Sequence, residues 1–285
     1  MIARIRKFLM EWVLAPGMIR VMCHILSRIV PTRSTLHDFK RTHDRIFIIG
    51  NGPSLIKDLV KYREAMMKSD RLAVNFMGVT ELFEELKPNV YVLVDPEFLK
   101  PMSKVRDILQ AKMQTLRSRI KSATWPITVV MPYGAKGGEF VNEVSANSLV
   151  KMVYFDDRVP LPPDTKDFAG MDRNRYWPPT MNVLNAAIYA AIVWRYPEIM
   201  IVGADNSFIA DLRVDQRDNR LYRDDTHYYG TSKVYFANPI TLGEEFANLS
   251  LAFKFYNKLR EFADWAGVRV INATDYSWID AFERA

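Results

Sequence analysis

A short turn near residue 50 combines residue types that suit nucleotide binding. The apolar run 46–49 ends at Gly50-Asn51-Gly52-Pro53, which predicts a buried strand stopped by a sharp turn. Glycines let the main chain approach a ligand closely, and Ser54 suits the cap of a helix that begins at Leu55. The N–H groups of such a helix start attract phosphate or ribose. The turn therefore predicts a nucleotide site, with a purely structural tight turn as the alternative. Its spacing matches neither GxGxxG nor GxxxxGK[ST].

Polar side chains also follow several other predicted strands. Together with the turn, these residues are Asn51, Asn75, Asp95, Asp205 and Asn206. In open α/β sheets ligands bind at the carboxyl ends of the strands. We therefore expect these side chains to meet at one crevice.

Residues 207–238 are rich in Arg, Asp and Tyr and poor in aliphatic residues, which predicts a lid. A neutral imidazole accepts a proton near pH 7, so His227 is the first candidate for a catalytic base, followed by Asp225 or Asp95. The alternative is that the lid packs its rings on the domain. The further lid residues predicted to serve catalysis or bind phosphate are Tyr222, Arg223, Tyr228, Tyr229, Thr231 and Lys233.

Strands and helices alternate from residue 45 onward, which predicts an α/β fold with a doubly wound, mainly parallel, Rossmann-like sheet. The predicted strands are 46–49, 71–74, 90–94, 127–131, 152–155, 198–202 and 268–271. The predicted helices are 55–68, 78–87, 102–122, 180–194, one that starts at a Thr241/Glu244 capping box and runs to about residue 265, and a short terminal helix. Residues 156–179 are predicted to be irregular. Residues 41–285 form the predicted catalytic domain.

The composition indicates a globular protein of a reducing compartment. The 285 residues are 49% hydrophobic and include one cysteine and four histidines. A single cysteine forms no internal disulfide, and the histidines lack zinc-ligand spacing. We therefore expect a cytoplasmic protein without a structural metal. The chain also lacks the Asp-x-Asp triplet that metal-dependent transferases commonly present.

Residues 1–40 are basic and amphipathic. The charges of residues 1–34 are Arg4, Arg6, Lys7, Arg20, Arg28 and Arg33 against Glu11. The apolar run is too interrupted to span a bilayer, so we predict short helices that lie on an anionic membrane surface at its cytoplasmic face. The alternative is packing on the domain or on a second subunit of a homo-oligomer. Nucleic-acid binding is not predicted, because the interleaved residues are mostly aliphatic and offer no stacking platform.

Several motifs, taken in order, resemble the bacterial sialyltransferases of glycosyltransferase family 42. They are the turn Ile48-Ile49-Gly50-Asn51-Gly52-Pro53-Ser54-Leu55, the strand end at Asn75, Glu198-Ile199-Met200-Ile201-Val202-Gly203-Ala204-Asp205, and Asp225-Thr226-His227-Tyr228-Tyr229-Gly230-Thr231-Ser232-Lys233. The resemblance covers residues 45–275. It implies a modified GT-A fold, a CMP-activated sialic acid as the donor, no metal or other cofactor, and a glycan or glycolipid acceptor such as lipooligosaccharide or capsule.

The resemblance also implies roles for individual residues. Asn51, Asn75 and Asp95 would contact the nucleotide sugar, although the family usually has asparagine at the position of Asp95. Thr231 stands where the family has its proton-accepting histidine, which again leaves His227 as the candidate base. The family's pair that holds the sialic carboxylate matches the region of Met181-Asn182, with Thr180 and Asn182 as donor-binding candidates, and Arg173 or Arg175 would hold an acidic sugar.

Two other functions stay open. The turn also resembles the archaeal pterin pyrophosphokinase relatives and flagellin-associated proteins of the domain-of-unknown-function group 115. That resemblance implies ATP with Mg²⁺ held by carboxylates such as Asp95 and Asp205. The third hypothesis is an inactive, membrane-associated scaffold, because the expected base is missing from its usual position.

Overall fold

The computed structural model describes residues 16–178, 182–228, 230–236 and 240–285. The strands in these ranges are β1 Arg45–Ile49, β2 Asp70–Val74, β3 Val90–Val92, β4 Ile127–Pro132, β5 Val150–Phe155, β6 Glu198–Val202, β7 Leu212–Val214, β8 Leu221–His227, β9 Gly230–Tyr235, β10 Arg269–Asn272 and β11 Glu283–Arg284. Eight of them form a parallel sheet in the order β11-β10-β6-β1-β2-β3-β4-β5. The other three form an antiparallel sheet in the order β7-β8-β9. The predicted α/β fold with a parallel sheet is confirmed.

The α-helices of the described ranges are α1 Pro16–Ile29, α2 Leu55–Met67, α3 Leu82–Leu86, α4 Asp107–Ser122, α5 Glu139–Val144, α6 Phe168–Asp172, α7 Val183–Val193 and α8 Leu242–Ala266. They cover both faces of the main sheet, and two hydrophobic cores result. Ile46 and Ile48 of β1 belong to the core with α7 and α8, whereas Phe47 and Ile49 belong to the core with α2 and α4. The strand is apolar without alternation because both of its faces are buried.

The predicted boundaries shift where short 3₁₀ turns replace helical turns. The predicted helix 78–87 is a 3₁₀ turn followed by α3, and the predicted helix 102–122 begins as an α-helix only at Asp107. The irregular segment 156–179 contains the short α6. The capping box at the start of α8 is confirmed, with Thr241 and Glu244 bonded reciprocally.

The predicted terminal helix is wrong. The chain instead ends in β11, which pairs with β10 at the edge of the sheet. Arg269 of β10 forms an ion pair with Glu283 of β11, so a cross-strand contact stabilises this edge.

The first described helix, α1, packs one of its faces on the domain. Cys23 and Ser27 are buried, and the Ser27 hydroxyl donates to the Tyr176 hydroxyl at 3.1 Å. The opposite face carries an apolar stripe whose members are 51–67% exposed: Met18, Val21, Ile25 and Ile29. Within the described residues, no helix is long and apolar enough to cross a membrane. The predicted packing on the domain is thus observed for one face, and the membrane contact stays a prediction.

Candidate functional site

The order of the strands places a topological switch point between β1 and β6. The chain runs from β1 through β5 in one direction across the sheet, and β6 then pairs on the other side of β1. At such a point the loops after the two strands diverge to opposite faces and leave a crevice at the carboxyl edge of the sheet. The loops that meet here are Gly50-Asn51-Gly52 and Gly203-Ala204-Asp205.

The glycines of these loops allow two backbones to pack together. The N–H of Gly50 donates to the Val202 carbonyl and the N–H of Gly52 to the Gly203 carbonyl, both at 2.8 Å. A Cβ on Gly50 would overlap the carbonyl of Gly203, and one on Gly52 would overlap the carboxylate of Asp205. The sequence indicated glycines that make room for a ligand, whereas their observed contacts are with the neighbouring loop.

The carboxylate of Asp205 occupies the start of α2. The Ser54 hydroxyl donates to Asp205 Oδ2 at 2.7 Å and the Ser54 N–H to Oδ1 at 3.2 Å. The prediction that Ser54 caps α2 is wrong, because its side chain makes no capping hydrogen bond and the carboxylate takes that place instead. An anionic group here is stabilised by the positive end of the helix dipole.

A second carboxylate, Asp58, lies beneath the switch point. It accepts hydrogen bonds from the N–H of Gly203 at 2.7 Å and of Asp275 at 3.2 Å. Burial raises the pKa of both Asp58 and Asp205, although these hydrogen bonds and those from Ser54 act in the opposite direction. Asp58 thus ties β6 and the loop after β10 to α2.

The structure brings the predicted residues of β1 and β2 together. The Asn51 amide donates to the Val74 carbonyl at 3.2 Å, so it bridges the ends of the two strands. Asn75 follows with φ = +46°, a left-handed conformation that asparagine tolerates. Its Oδ1 is buried and has no hydrogen-bond partner among the described residues. An unpaired buried amide oxygen at this edge can accept a hydrogen bond from a ligand.

The other predicted residues at this edge already have partners within the protein. Asp95 follows β3 and caps its own 3₁₀ turn by accepting from the Glu97 N–H at 2.9 Å. Asn206, at φ = +53°, accepts from Asn182 at 2.9 Å and donates to the Tyr256 hydroxyl at 2.6 Å. Asn182 also caps α7. Asn182 and Asn206 thus anchor α7 and α8 to the switch point, and their contact with a ligand stays a prediction.

The hairpin formed by β8 and β9 reaches the end of β1. At its tip, the Tyr228 N–H donates to the Asn51 carbonyl at 3.3 Å. The Tyr228 hydroxyl is hydrogen-bonded to the hydroxyl of Thr80, and the ring packs on the second core. Tyr228 therefore connects the hairpin to the end of β1 and to the 3₁₀ turn that follows β2.

The remaining lid residues are held within the three-stranded sheet. Lys233 Nζ lies 3.8 Å from the centre of the Tyr222 ring, and the Arg223 guanidinium lies 5.4 Å from the Phe208 ring. Thr231 is exposed and pairs with Thr226 in the register of the strands. Arg173 is exposed and Arg175 half-buried after α6. The predictions for Thr180 and Tyr229, and for the side chains of Asp225 and His227, lie outside the described residues; the main chain of the latter two belongs to β8.

Sequence reasoning missed Asp58 and Thr80. The sequence could have indicated Asp58, because this carboxylate falls on the same apolar helix face as the buried Leu55 and Leu59. It could not have indicated Thr80, since the role of Thr80 depends on a tyrosine 148 residues away in the chain.

A cavity of about 940 Å³ lies at the opposite edge of the sheet. Its lining includes His43, Arg45, Lys61 and Lys68. Asp70 is buried next to the lining residues Thr42 and His43, and although burial alone would raise its pKa, hydrogen bonds from Thr42, Tyr196 and His43 lower the pKa to about 2. This network joins β2 to the residues before β1. Because the cavity lies at the amino ends of the strands, we do not assign it to nucleotide binding.

In the part of the chain that the structure describes, no three His, Cys, Asp or Glu side chains are grouped as metal ligands. Asp95 and Asp205, the two carboxylates that the kinase hypothesis would use for Mg²⁺, are each engaged by donors of the protein. Independence from a metal stays a prediction.

No protein-family model matches the chain, and no curated protein matches it. Its fold is similar to a solved structure, the MAf glycosyltransferase from Magnetospirillum magneticum AMB-1, with a TM-score of 0.52 and 14% sequence identity. The match covers 99% of this chain and 41% of the other. The chain thus spans less than half the length of that protein. At this identity the similarity shows the fold, which is that of a glycosyltransferase structure.

Proposed function

We propose that the chain is a glycosyltransferase that binds a nucleotide-activated sugar in the crevice after β1, β2 and β6. The observation that carries the proposal is the hairpin tip, where the Tyr228 N–H donates to the Asn51 carbonyl at the switch point of a parallel sheet. A ligand under this hairpin is shielded from water, which would otherwise hydrolyse an activated donor. The similarity to a glycosyltransferase structure supports the same function.

The donor we propose is a CMP-linked acidic sugar, as the resemblance to glycosyltransferase family 42 implies. Asn75 Oδ1 would accept a hydrogen bond from a hydroxyl or amino group of the nucleotide sugar, because this oxygen is buried and has no partner among the described residues. In this proposal Tyr222 donates a hydrogen bond to the leaving phosphate, and Arg223 and Lys233 neutralise its charge, when the lid closes fully. Those cations must then leave the aromatic rings that they now contact.

The acceptor we propose is a hydroxyl of a cell-surface glycan such as lipooligosaccharide or capsule, with His227 as the base that takes its proton. His227 is the last residue of β8 and directly precedes Tyr228, whose main chain contacts the crevice. An imidazole in this position has the right proton affinity for general base catalysis near neutral pH.

Binding of nucleotides tests the proposal. Thermal shift with CMP, UDP, GDP and ATP, each with and without Mg²⁺, should show stabilisation by CMP that does not require the metal. Stabilisation by ATP only with Mg²⁺ would support the pyrophosphokinase alternative, and no stabilisation by any nucleotide would support a scaffold. If a donor is found, His227→Ala should abolish its turnover while nucleotide binding persists; unchanged turnover would exclude His227 as the base.

We also propose that α1 lies on an anionic membrane surface. Its exposed stripe of Met18, Val21, Ile25 and Ile29 would bury apolar area there, and Arg28 near the end of the same helix would meet the headgroups. The preceding residues add Arg4, Arg6 and Lys7 against Glu11 alone, so the charge complements an anionic partner. Helix α1 packs beside residues 164–176, which follow the carboxyl end of β5.

A further inference from the structure

Two aromatic side chains are exposed in the loop between β10 and β11. Tyr276 is 79% exposed and Trp278 is 46% exposed. The loop is bonded directly to the residues of the switch point, since the Trp278 N–H donates to the Asp205 carbonyl at 2.8 Å and the Ser277 hydroxyl donates to the Ala204 carbonyl at 2.6 Å. The two aromatic side chains therefore lie at the rim of the crevice.

The loop is braced by several neighbouring elements. The Asn272 amide donates to Ser277 Oγ and to the Ile279 carbonyl, both at 3.0 Å, and the Arg284 guanidinium donates to the Ser277 carbonyl at 2.7 Å. The Asp275 N–H donates to Asp58 of α2. A surface that is already ordered loses little conformational entropy when it binds a ligand.

The backbone of Tyr276 has an unusual conformation for an aromatic residue. Its φ is +56°, in the left-handed region, where asparagine or glycine is less strained. Four of the seven non-glycine residues with positive φ in the described chain are asparagines. The loop holds a bulky ring in a position that a smaller residue would occupy more easily, and such strain is typical of functional sites.

The polar groups around the two rings suit a sugar. Asp275 and Asp280 are exposed on the same loop, and Lys57 Nζ lies 5.5 Å from the Tyr276 ring. A pyranose ring has an apolar face of C–H groups that packs on an aromatic face, and a rim of hydroxyls that donate to carboxylates. The same carboxylates repel an anionic lipid surface, and the polar surroundings do not match an apolar protein partner.

We propose that Tyr276 and Trp278 form an aromatic platform on which a pyranose ring of the acceptor glycan stacks. The acceptor assignment rests on the proposed glycosyltransferase function, whereas sugar binding by the platform is a property of these residues alone. The platform would hold the acceptor beside the crevice that takes the donor, and so determine which glycan is extended.

Fluorine NMR of the full chain labelled with 5-fluorotryptophan tests the platform. The probes are the methyl glycosides of galactose, glucose and N-acetylglucosamine. We expect at least one of them to shift the Trp278 resonance, assigned with Trp278→Phe, in a saturable manner. The resonance of Trp265, which is 47% exposed on α8, is the internal control and should not move.

A substitution distinguishes the platform from a structural role of Tyr276. Tyr276→Asn removes the ring and suits the left-handed backbone, so the melting temperature should be unchanged or higher while the glycoside affinity falls about tenfold. Tyr276→Phe keeps the ring and should keep most of the affinity.

Three outcomes would overturn the platform: no shift of Trp278 with any glycoside, equal affinity in Tyr276→Asn, or a shift of Trp278 by phosphatidylglycerol vesicles in place of the sugars. Failure of the platform leaves the nucleotide thermal shifts intact, whereas failure of the proposed function removes those shifts. The two results are therefore distinguishable.

Discussion

At the scale of single residues, the glycines of the switch point let two loops pack closely, and a substitution can measure how much this packing stabilises the fold. Gly50→Ala would force a Cβ against the backbone of Gly203, so β1 and β6 would have to separate at their carboxyl ends. We expect the free energy of unfolding to fall by about 3 kcal/mol, near the upper end for overpacking, because a backbone cannot move aside as a side chain can. Chemical denaturation measures this change.

Gly243→Ala is the matched control. A Cβ on Gly243 meets no atom within 4 Å, and alanine favours the helical backbone of α8. This variant should be as stable as the parent or up to about 1 kcal/mol more stable. Equal loss of stability in both variants would contradict the close packing of the two loops.

Asp70 predicts a specific dependence of stability on pH. Its pKa is lowered to about 2 in the folded protein from an ordinary value of 3.8, so the ionised carboxylate stabilises the fold above pH 3.8 and this contribution is lost as the pH falls toward 2. Asp70→Asn should lower the free energy of unfolding at neutral pH by about 3 kcal/mol, since it leaves buried donors without their carboxylate. The difference from the parent should shrink between pH 3.8 and 2.

Asp44→Asn is the control for Asp70. Asp44 is exposed in the same loop and pairs with Arg41, so its loss should change stability by less than about 1 kcal/mol. A difference between Asp70→Asn and the parent that stays constant down to pH 2 would show that the carboxylate does not stabilise this edge of the sheet.

At the scale of elements, α1 offers a test of the membrane proposal. Ile25→Asp should weaken binding of the full chain to phosphatidylglycerol-containing vesicles by about tenfold or more, because burial of one isoleucine contributes about 1.5 kcal/mol or more. Neutral phosphatidylcholine vesicles should bind weakly, and added salt should weaken binding to the anionic ones. Co-sedimentation measures both.

Val60→Asp is the matched control, since Val60 is also exposed but lies on α2. It should leave vesicle binding unchanged. If the parent and Ile25→Asp bind the vesicles equally, the apolar stripe of α1 does not contact the membrane. If sedimentation instead shows a dimer of this chain that depends on the stripe, the partner of the stripe is a second copy of the chain.

The elements were predictable from the sequence where their signal is local. The apolar runs gave every interior strand of the main sheet, and Thr241 with Glu244 gave the start of α8. The terminal strand β11 was missed because two residues carry no periodicity, and their partner β10 decides their conformation. The hairpin of β8 and β9 was predicted only as a lid, since its polar residues show no alternation that would mark strands.

At the scale of the whole molecule, the crevice depends on contacts between distant parts of the chain. The sequence predicted that Asn51, Asn75 and Asp205 would lie at one edge, and the parallel order of β6, β1 and β2 places them there. It did not predict that Asp205 would cap α2, because that contact joins residues 151 positions apart. Contacts of this kind follow from tertiary packing and leave no local pattern.

The proposed function predicts that the hairpin of β8 and β9 becomes less mobile when a nucleotide binds. With CMP present, the amides of β8 and β9 should exchange with deuterium more slowly, because a ligand under the hairpin favours its closed form. The amides of β1 and β2 should exchange as before, since they are buried in the sheet in either case. Hydrogen exchange followed by mass spectrometry measures both.

Tyr228→Phe should reduce this protection, since it removes the hydroxyl that bonds to Thr80. Tyr235→Phe, on the neighbouring strand β9 and away from the tip, removes a hydroxyl that donates to Asp215; it is the control and should respond to CMP as the parent does. Uniform slowing over the whole chain would contradict a closing lid and indicate only global stabilisation.

The pairing of β1 with β6 also determines which part of the sheet can form first during folding. The two strands join residues 45–49 to 198–202, so a ribosome must add about 150 residues after the first strand before its second neighbour exists. Strands β1 to β5 pair in chain order and can assemble earlier, because shorter loops close at a lower entropic cost. The proposed nucleotide binding should therefore be among the last properties acquired, both on the ribosome and during refolding from denaturant.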